Sequence, residues 1–455
     1  MEDDRATVET TVSADPHPDN SEVVHRGLAS RALPSSISSI LQKSGRLLKR
    51  GQERDDWGLC SLEDFEHALP PSLKEGKKSL AALASQLSGG PGKDLAQPYQ
   101  LALAQALSNG SSENLVGMTI SLQNLQPLDR SSTEAPLPKQ DLLVTGVLGY
   151  YRWSLVVNTV DVETKKEFSV SIPIVSNSDV DKYDDNGLEQ QVRVAAEEEK
   201  GALLQVCGSI PAKSAASQKG VAVPYYTGQV LRLDNIHTTG DFKIFNTVSV
   251  MGKVVGDISS VVSIAEGLEP NMKNYIAHRL LHIVLKLERS AVGHMQLGWR
   301  SLFLREDGSF VLGNFCSCAP FGEEKSRLSG LVQLIQEPSV LTRFVDSKRL
   351  VPDAKANLWN LGVLLFQLYT GTEHPYAEVV GPGWRSDPSA AAFQLLRMEI
   401  RSEMLIPQLE RSKVPLRWGG LILRLLEPQS VNRITAFQLV QEFPDLIGPQ
   451  SVAND

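Results

Sequence analysis

The sequence is short of cysteine, of long apolar runs and of positive charge, and each shortage excludes a class of protein. Four cysteines in 455 residues are too few for a disulfide scaffold. Cys316 and Cys318 form a C-x-C pair with no second pair and no neighbouring histidine, so we predict no metal site there. No stretch reaches the roughly 18 apolar residues of a membrane-spanning helix. The net charge of -8 argues against general nucleic-acid binding, which needs a basic face.

The N-terminal stretch MEDDRATVET also lacks the charged-then-apolar pattern of a signal peptide. Residues 1–136 are rich in Ser, Pro, Gly and Ala, which predicts a low-complexity N-terminal extension that is partly disordered. Within it, LAALASQL and YQLALAQALSNG predict short amphipathic helices. A third helix is predicted at PSSISSILQKSGRLLKRGQER, with Lys43, Arg46, Lys49 and Arg50 as its charge. Such a basic helix can lie on an anionic membrane surface, and the alternative is that it packs against the folded domain.

From about Leu142 the chain alternates apolar and polar residues. LLVTGVLGYYRWSLVVNTVDVETKKEFSVSIPI predicts two or three antiparallel strands with a turn at ETKK, and LEQQVRVAAEEEKGALLQV predicts a helix. Later segments are helical, and the nearly all-apolar ANLWNLGVLLFQLYTG predicts a buried helix. Strands first and helices second predict an α+β fold of two lobes. We place a β-rich lobe at 137–266, a helical lobe at 267–446 and a tail at 447–455.

The order of elements resembles the protein kinase fold, and GVLGYYRWSLVV resembles its glycine-rich loop. Gly149 fits the first glycine, whereas Tyr151 and Ser154 stand at the second and third. Those glycines let backbone N–H groups approach the phosphates of ATP, and a tyrosine would fill that space. On the next strand, Ser171 stands at the phosphate-binding lysine. The resemblance therefore predicts no nucleotide cofactor.

The stretch VGHMQLGWRSLFLREDGSFVLGNFCSC resembles the kinase catalytic and metal loops without their carboxylates. His294 keeps its kinase identity, but Gln296 replaces the proton-accepting aspartate, and an amide has no useful basicity. Ser301 replaces the metal-binding asparagine. Asn314 and Phe315 stand for Asp-Phe of the metal loop, and a neutral amide is a weak ligand for magnesium.

Further along, AKANLWNLGVLLFQLYTGTEHPY resembles the buried kinase helix that supports the catalytic loop, with Trp359 and Gly362 at matching positions. Asn357 stands where an aspartate normally steadies that loop. Arg433 matches the arginine of the closing segment, and Glu337 is its candidate partner. The helix LEQQVRVAAEEE offers Glu189 or Gln191 at the kinase glutamate position.

Phosphoryl transfer depends on positioning and charge stabilisation, and losing one such group costs about a hundred-fold in rate or more. Four substitutions at once therefore predict a pseudokinase with intact packing residues. One alternative is a divergent, active Ser/Thr protein kinase that recruits Lys165, Lys166 or Lys182. A second alternative is a non-enzymatic structural component of a membrane or wall.

Residues 142–446 are similar to the rhoptry kinases and pseudokinases of apicomplexan parasites, most visibly at DGSFVLGNF and VVNTVDVETKKEFSVSIPI. The resemblance implies a secreted effector in the rhoptry or at the parasitophorous vacuole or cyst membrane. It also implies a protein partner, either an active family kinase or a host protein. The absence of a signal peptide departs from that family.

Overall fold

The computed structural model describes residues 57, 59–87, 93–128, 139–151, 153–180, 185–263, 268–324, 337–347, 351–381, 387–397 and 400–448. The predicted basic helix with Lys43, Arg46, Lys49 and Arg50 lies outside the described residues, and so does Lys182. In the described part of the chain, no helix combines the length and apolarity needed to span a bilayer.

Three helices precede the sheet: α1 (Leu62–His67), α2 (Pro71–Ala84) and α3 (Lys93–Ser108). The predicted helices LAALASQL and YQLALAQALSNG fall largely in α2 and α3, so both predictions are confirmed. α1 begins at a capped end, because the Oγ of Ser61 accepts a hydrogen bond from the backbone N of Asp64 at 3.0 Å.

Eight strands form one sheet: β1 (Thr119–Pro127), β2 (Lys139–Tyr151), β3 (Ser154–Asp161), β4 (Glu167–Ser176), β5 (Tyr226–Val230), β6 (Ile236–Thr239), β7 (Phe242–Phe245) and β8 (Thr247–Gly252). Their order is β3-β2-β1-β5-β8-β4-β7-β6, and β3 also pairs with β4, so six strands close into a ring. The predicted turn at ETKK joins β3 to β4.

The composition of the sequence predicted that the β-rich lobe starts at residue 137. In the structure the sheet begins earlier in the chain. Strand β1 lies inside the extension and turns Ile120, Leu122 and Leu125 toward the sheet interior. Its alternation was masked by the flanking Ser- and Pro-rich segments. Because β1 pairs with both β2 and β5, it completes the ring and is part of the lobe.

The remaining elements are α4 (Asn177–Val180), α5 (Asp185–Cys207), α6 (Ala212–Gln218), β9 (Gly256–Asp257), α7 (Ser259–Val262), α8 (Pro270–Arg289), β10 (Val292–Gly293), β11 (Leu302–Leu304), β12 (Phe310–Leu312), β13 (Ala319–Pro320), α9 (Pro338–Ser347), α10 (Ala356–Thr370), α11 (Ala377–Val380), α12 (Pro388–Arg397), α13 (Ile406–Arg411), α14 (Leu416–Leu425), α15 (Ala436–Glu442) and α16 (Pro444–Ile447). After the three N-terminal helices, the eight-stranded sheet precedes most of the remaining helices, which is the predicted order of a β-rich lobe followed by a helical lobe. The nearly all-apolar α10 is buried along most of its length, and α8 packs against it.

The N-terminal helices α1 and α2 belong to the core of the helical lobe. Leu62, Phe65 and Leu80 are buried in the same cluster as the apolar residues of α8 and α10. The helices α2 and α8 approach so closely that a Cβ on Gly76 would lie 2.1 Å from the carbonyl oxygen of Asn271. This part of the extension is thus integral to the fold.

Candidate nucleotide cleft

The glycine-rich hairpin is formed by β2 and β3, which place Tyr151 opposite Ser154 and Gly149 opposite Val156. Gly149 is buried beside a β-bulge. In a kinase this hairpin covers the phosphates of ATP. Here its end carries Tyr151, which is 4% exposed and points into the cleft between the lobes.

Tyr151 crosses that cleft. Its hydroxyl donates a hydrogen bond to the Oδ2 of Asp257 at 2.9 Å, and its ring meets Phe303 edge-on with 5.2 Å between ring centroids. Phe303 lies on β11 of the helical lobe, and Asp257 lies on β9, which pairs with β11. Burial and the neighbouring Asp257 raise the pKa of Tyr151 far above its ordinary value, so the hydroxyl remains a donor.

An apolar cluster surrounds this tyrosine and draws on both lobes. Its buried members are Leu148, Tyr151, Val156, Met251, Val254, Phe303 and Val311. They come from β2, β3, β8 and the segment after it, and from β11 and β12. Side chains thus occupy the space beneath the glycine-rich hairpin, where a kinase holds its nucleotide. The sequence indicated Tyr151, but not Asp257 or Phe303, which no kinase motif marks.

Ser171 lies on β4 between two strands, opposite Val156 on β3 and Ser249 on β8. It is half-buried, and its hydroxyl carries no charge for a phosphate. The glutamate candidate of α5, Glu189, is exposed and accepts a hydrogen bond from Asn235 at 3.2 Å. Ser171 and Glu189, at the positions predicted for the kinase lysine and glutamate, therefore have separate surroundings.

His294 lies in the packed interior beneath the cleft. It is fully buried, its Nε2 lies 2.7 Å from the carbonyl oxygen of Gly313, and its ring meets Phe315 at 5.3 Å. Its backbone N donates to the Oδ1 of Asn357 at 2.9 Å. Asn357 therefore steadies the catalytic loop through an amide in the place of a carboxylate.

Asn357 also donates two hydrogen bonds through its side-chain amide. Its Nδ2 donates to the carbonyl oxygen of Val292 at 2.8 Å and to the Oε1 of Glu288 at 2.9 Å. Desolvation raises the pKa of Glu288 to about 7, although the hydrogen bond from Asn357 and the nearby Arg433 oppose that shift. We therefore expect Glu288 to titrate near neutral pH.

The substituted catalytic positions contribute to loop structure. Ser301 is buried, and its Oγ accepts from the backbone N of Gly298 at 3.0 Å and donates to the carbonyl oxygen of the same residue at 2.7 Å. Gln296 is 8% exposed, and its backbone N donates to the carbonyl oxygen of His294. Asn314 has a left-handed backbone with φ 59° and ψ 45°, a conformation that asparagine tolerates better than most residues.

Arg433, Trp359 and Gly362 lie in the packed interior of the helical lobe. Arg433 and Glu337 are both buried, and the Nη2 of the arginine lies 3.0 Å from the Oε1 of the glutamate. The guanidinium also sits 4.9 Å from the ring centroid of Trp359. Gly362 allows α10 to approach α14, since a Cβ there would lie 2.8 Å from the Cβ of Leu425.

Three further ionisable residues have structural surroundings. Asp307 is a turn residue, whose Oδ1 accepts from the backbone N of Ser309 at 3.1 Å. His278 and His282 are buried on α8, and burial lowers the pKa of His282 to about 3. Among the residues that the structure describes, no three His, Cys, Asp or Glu side chains are grouped closely enough to hold a metal ion.

Neither a protein-family model nor a curated protein sequence matches this chain. Among solved structures it is similar to ROP2 from Toxoplasma gondii, described as a virulence factor with a protein-kinase fold and no enzymatic activity. That similarity has a TM-score of 0.60 and 12% identity, over 83% of this chain and 96% of that one. The ROP18 kinase domain in complex with AMP-PNP and sucrose gives a TM-score of 0.56 and 15% identity, over 83% and 95%. A rhoptry kinase from Toxoplasma gondii gives 0.55 and 14%, over 83% and 93%. At such identities the likeness establishes the fold, which is the predicted α+β, bilobal protein-kinase fold.

Proposed function

We propose that this chain is a pseudokinase of the rhoptry kinase group that acts by binding a protein partner and transfers no phosphate. The contact of Tyr151 with Asp257 and Phe303 carries this proposal, because it fills the nucleotide cleft with protein. The ROP2 likeness supports it, since that protein is described as lacking enzymatic activity.

Electrostatics support the same conclusion. Ser171, Gln296 and Asn314 are neutral where a kinase uses a lysine and two aspartates. Magnesium prefers carboxylate and water ligands, and the transferring phosphoryl group needs positive charge around it. A site that is filled, and that lacks the kinase lysine and the two kinase aspartates, neither binds ATP with magnesium nor stabilises the transition state.

The divergent-kinase alternative has little support. Lys165 and Lys166 are exposed in the turn that joins β3 to β4. The glycine-rich end of the hairpin lies at the other end of β3, about 25 Å away for a strand of eight residues. A lysine in that turn does not reach phosphates under the hairpin.

For the binding role, we propose a secreted effector at a vacuole or cyst membrane, with an active family kinase or a host protein as its partner. Several contacts join the β-rich lobe to the elements of the helical lobe, and we expect such a partner to bind the two lobes as one surface. Besides Tyr151, Lys253 bridges them, with its Nζ 2.8 Å from Glu167 and 2.6 Å from Glu306. Arg300 of the catalytic loop donates to the carbonyl oxygen of Tyr150 at 3.4 Å.

The proposed absence of ATP binding and of phosphate transfer is tested with the purified full chain. The two measurements are thermal shift with ATP and either magnesium or manganese, and transfer of radiolabelled phosphate. We expect no shift and no transfer from the natural chain or from Tyr151→Phe, which keeps the cleft filled. Tyr151→Gly opens the cleft and is expected to gain a small, metal-independent shift with adenosine. A metal-dependent shift of the natural chain, with transfer abolished by Gln296→Ala, overturns the proposal.

The proposed binding of a protein partner is tested by isolating the chain, after crosslinking, from the cell in which it occurs. A single stoichiometric protein partner supports the proposed role. Recovery only with insoluble wall or membrane material overturns it in favour of a structural component.

A further inference from the structure

The sequence contains one Asn-x-Ser/Thr motif, formed by Asn109, Gly110 and Ser111. This pattern is the acceptor signal for N-linked glycosylation in secreted proteins. A motif this short occurs by chance, so its surroundings decide whether it can serve. The acceptor amide must be exposed, and the residues around it must leave room for an enzyme.

The motif lies where α3 ends and a surface loop begins. Asn109, Gly110 and Ser111 are all exposed. Both Asn109 and Gly110 have left-handed backbones, with φ 53° and 86°, which turn the chain out from the helix. A Cβ added at Gly110 would meet no atom within 4 Å. Within the described residues, no hydrogen bond occupies the side-chain amide of Asn109.

The hydroxyl of the motif is also well placed. The Oγ of Ser111 donates to the carbonyl oxygen of Ser108 at 2.8 Å and stays on the solvent side of the turn. The loop beyond it is held by its own short-range bonds, such as that from the backbone N of Val116 to the Oδ1 of Asn114 at 3.1 Å. The motif is thus presented on an ordered, exposed turn.

We propose that Asn109 is an N-glycosylation acceptor when the chain enters the lumen of the secretory pathway. The side-chain Nδ2 attacks the anomeric carbon of an oligosaccharide carried on a polyprenyl pyrophosphate. A C–N bond forms, the sugar–phosphate C–O bond breaks, the amide loses one proton, and polyprenyl pyrophosphate leaves. The inference rests on the secretory location contained in the proposed function.

A glycan here has a consequence for partner binding. The backbone N of Gly117 donates to the carbonyl oxygen of Val144 at 2.9 Å, and that of Val162 to Asp141 at 2.9 Å. These contacts gather three exposed apolar side chains around one part of β2: Val116 at 43%, Leu143 at 37% and Val162 at 42% exposure. A glycan on the loop that leads to Val116 would shield this face, and we then expect the protein partner to bind elsewhere.

The test expresses the full chain behind a cleavable export signal in a eukaryotic cell line. Peptide-N-glycosidase treatment is expected to shift the secreted protein on a gel, and peptide mass spectrometry to find the modification at residue 109. Asn109→Gln and Ser111→Ala should lose the shift, whereas Ser111→Thr keeps it. Asn114→Gln, an exposed asparagine of the same loop outside the motif, should also keep it.

Secreted chain with an unmodified Asn109 overturns the inference. The location is tested separately, by fractionating the cell in which the protein occurs. A native protein outside the secretory compartments contradicts the proposed effector role, while glycosylation of the exported chain still supports Asn109 as an acceptor. Failure of the glycosylation inference can therefore be distinguished from failure of the proposed effector role.

Discussion

The hydroxyl of Tyr151, on the glycine-rich hairpin, donates to the Oδ2 of Asp257, on the strand β9 that pairs with β11 of the helical lobe, across 2.9 Å. Asp257 is fully buried, and its Oδ1 accepts from the backbone N of Ser259 at 2.9 Å. A buried carboxylate is costly unless its oxygens accept hydrogen bonds. The tyrosine therefore does more than fill space, because it also donates a hydrogen bond to a carboxyl group that is buried in the cleft.

Replacing Tyr151 separates the contribution of its hydrogen bond to Asp257 from that of the packing of its ring. Tyr151→Phe leaves Asp257 without its donor and should lower the free energy of unfolding by about 1–3 kcal/mol. Tyr151→Ala also removes the ring from the apolar cluster and should cost about 3–5 kcal/mol. Urea unfolding of both variants measures the difference. A phenylalanine variant as stable as the natural chain would show that the hydrogen bond to Asp257 contributes nothing.

The N-terminal helices should be required for folding. Arg279 on α8 is 2% exposed, bonds to the carbonyl oxygen of Phe310 at 2.8 Å, and forms an ion pair with Glu66 of α1. A chain starting at residue 137 loses that partner and strand β1. We expect it to be insoluble or molten, whereas a chain starting at residue 57 folds. Circular dichroism and thermal melting compare the two, and cooperative unfolding of the shorter chain would contradict the expectation.

A point variant tests the same contact without truncation. Glu66→Gln removes the charge opposite a buried arginine and should cost about 3–5 kcal/mol. Lys77 also pairs with Glu66, at 2.9 Å, but is 23% exposed. Lys77→Gln should therefore cost less than about 1 kcal/mol and serves as the matched control.

The sequence predicted those parts of the fold that local pattern or motif determines. The β3–β4 hairpin follows from alternation and a turn, and the Arg433–Glu337 pair from the kinase-like segments that contain them. The contacts Tyr151–Asp257 and Arg279–Glu66 join residues 106 and 213 positions apart. No periodicity encodes such separations. Strand β1 was missed because nine residues of alternation lie within a segment whose composition is typical of a linker.

Stability should fall as the pH rises toward neutrality, through Glu288. Because burial raises its pKa to about 7 from the ordinary 4.5, the folded state binds the proton more tightly than the unfolded state. The contribution is full below pH 4.5 and lost as the pH approaches 7, and it amounts to about 3 kcal/mol at most. Glu288→Gln should flatten this slope, and the exposed Glu163→Gln should leave it unchanged. Equal slopes in urea unfolding from pH 5 to pH 8 would contradict this assignment.

Restoring the kinase aspartate at residue 357 should harm this protein. In the natural chain, the side-chain amide of Asn357 both accepts and donates hydrogen bonds. Its oxygen accepts from His294, and its nitrogen donates to Val292 and Glu288. Asn357→Asp keeps the first contact, loses both donations and sets a second carboxyl against Glu288. We expect a loss of about 3 kcal/mol or more at pH 7, smaller at pH 5 where the carboxyl of Glu288 is protonated. The double variant Asn357→Asp with Glu288→Gln should recover much of that loss, because the glutamine amide donates to the new carboxylate. An aspartate variant as stable as the natural chain would mean that the asparagine is incidental. A rescued double variant would show that the loss of the catalytic charges was accompanied by a rebuilt support beneath the loop.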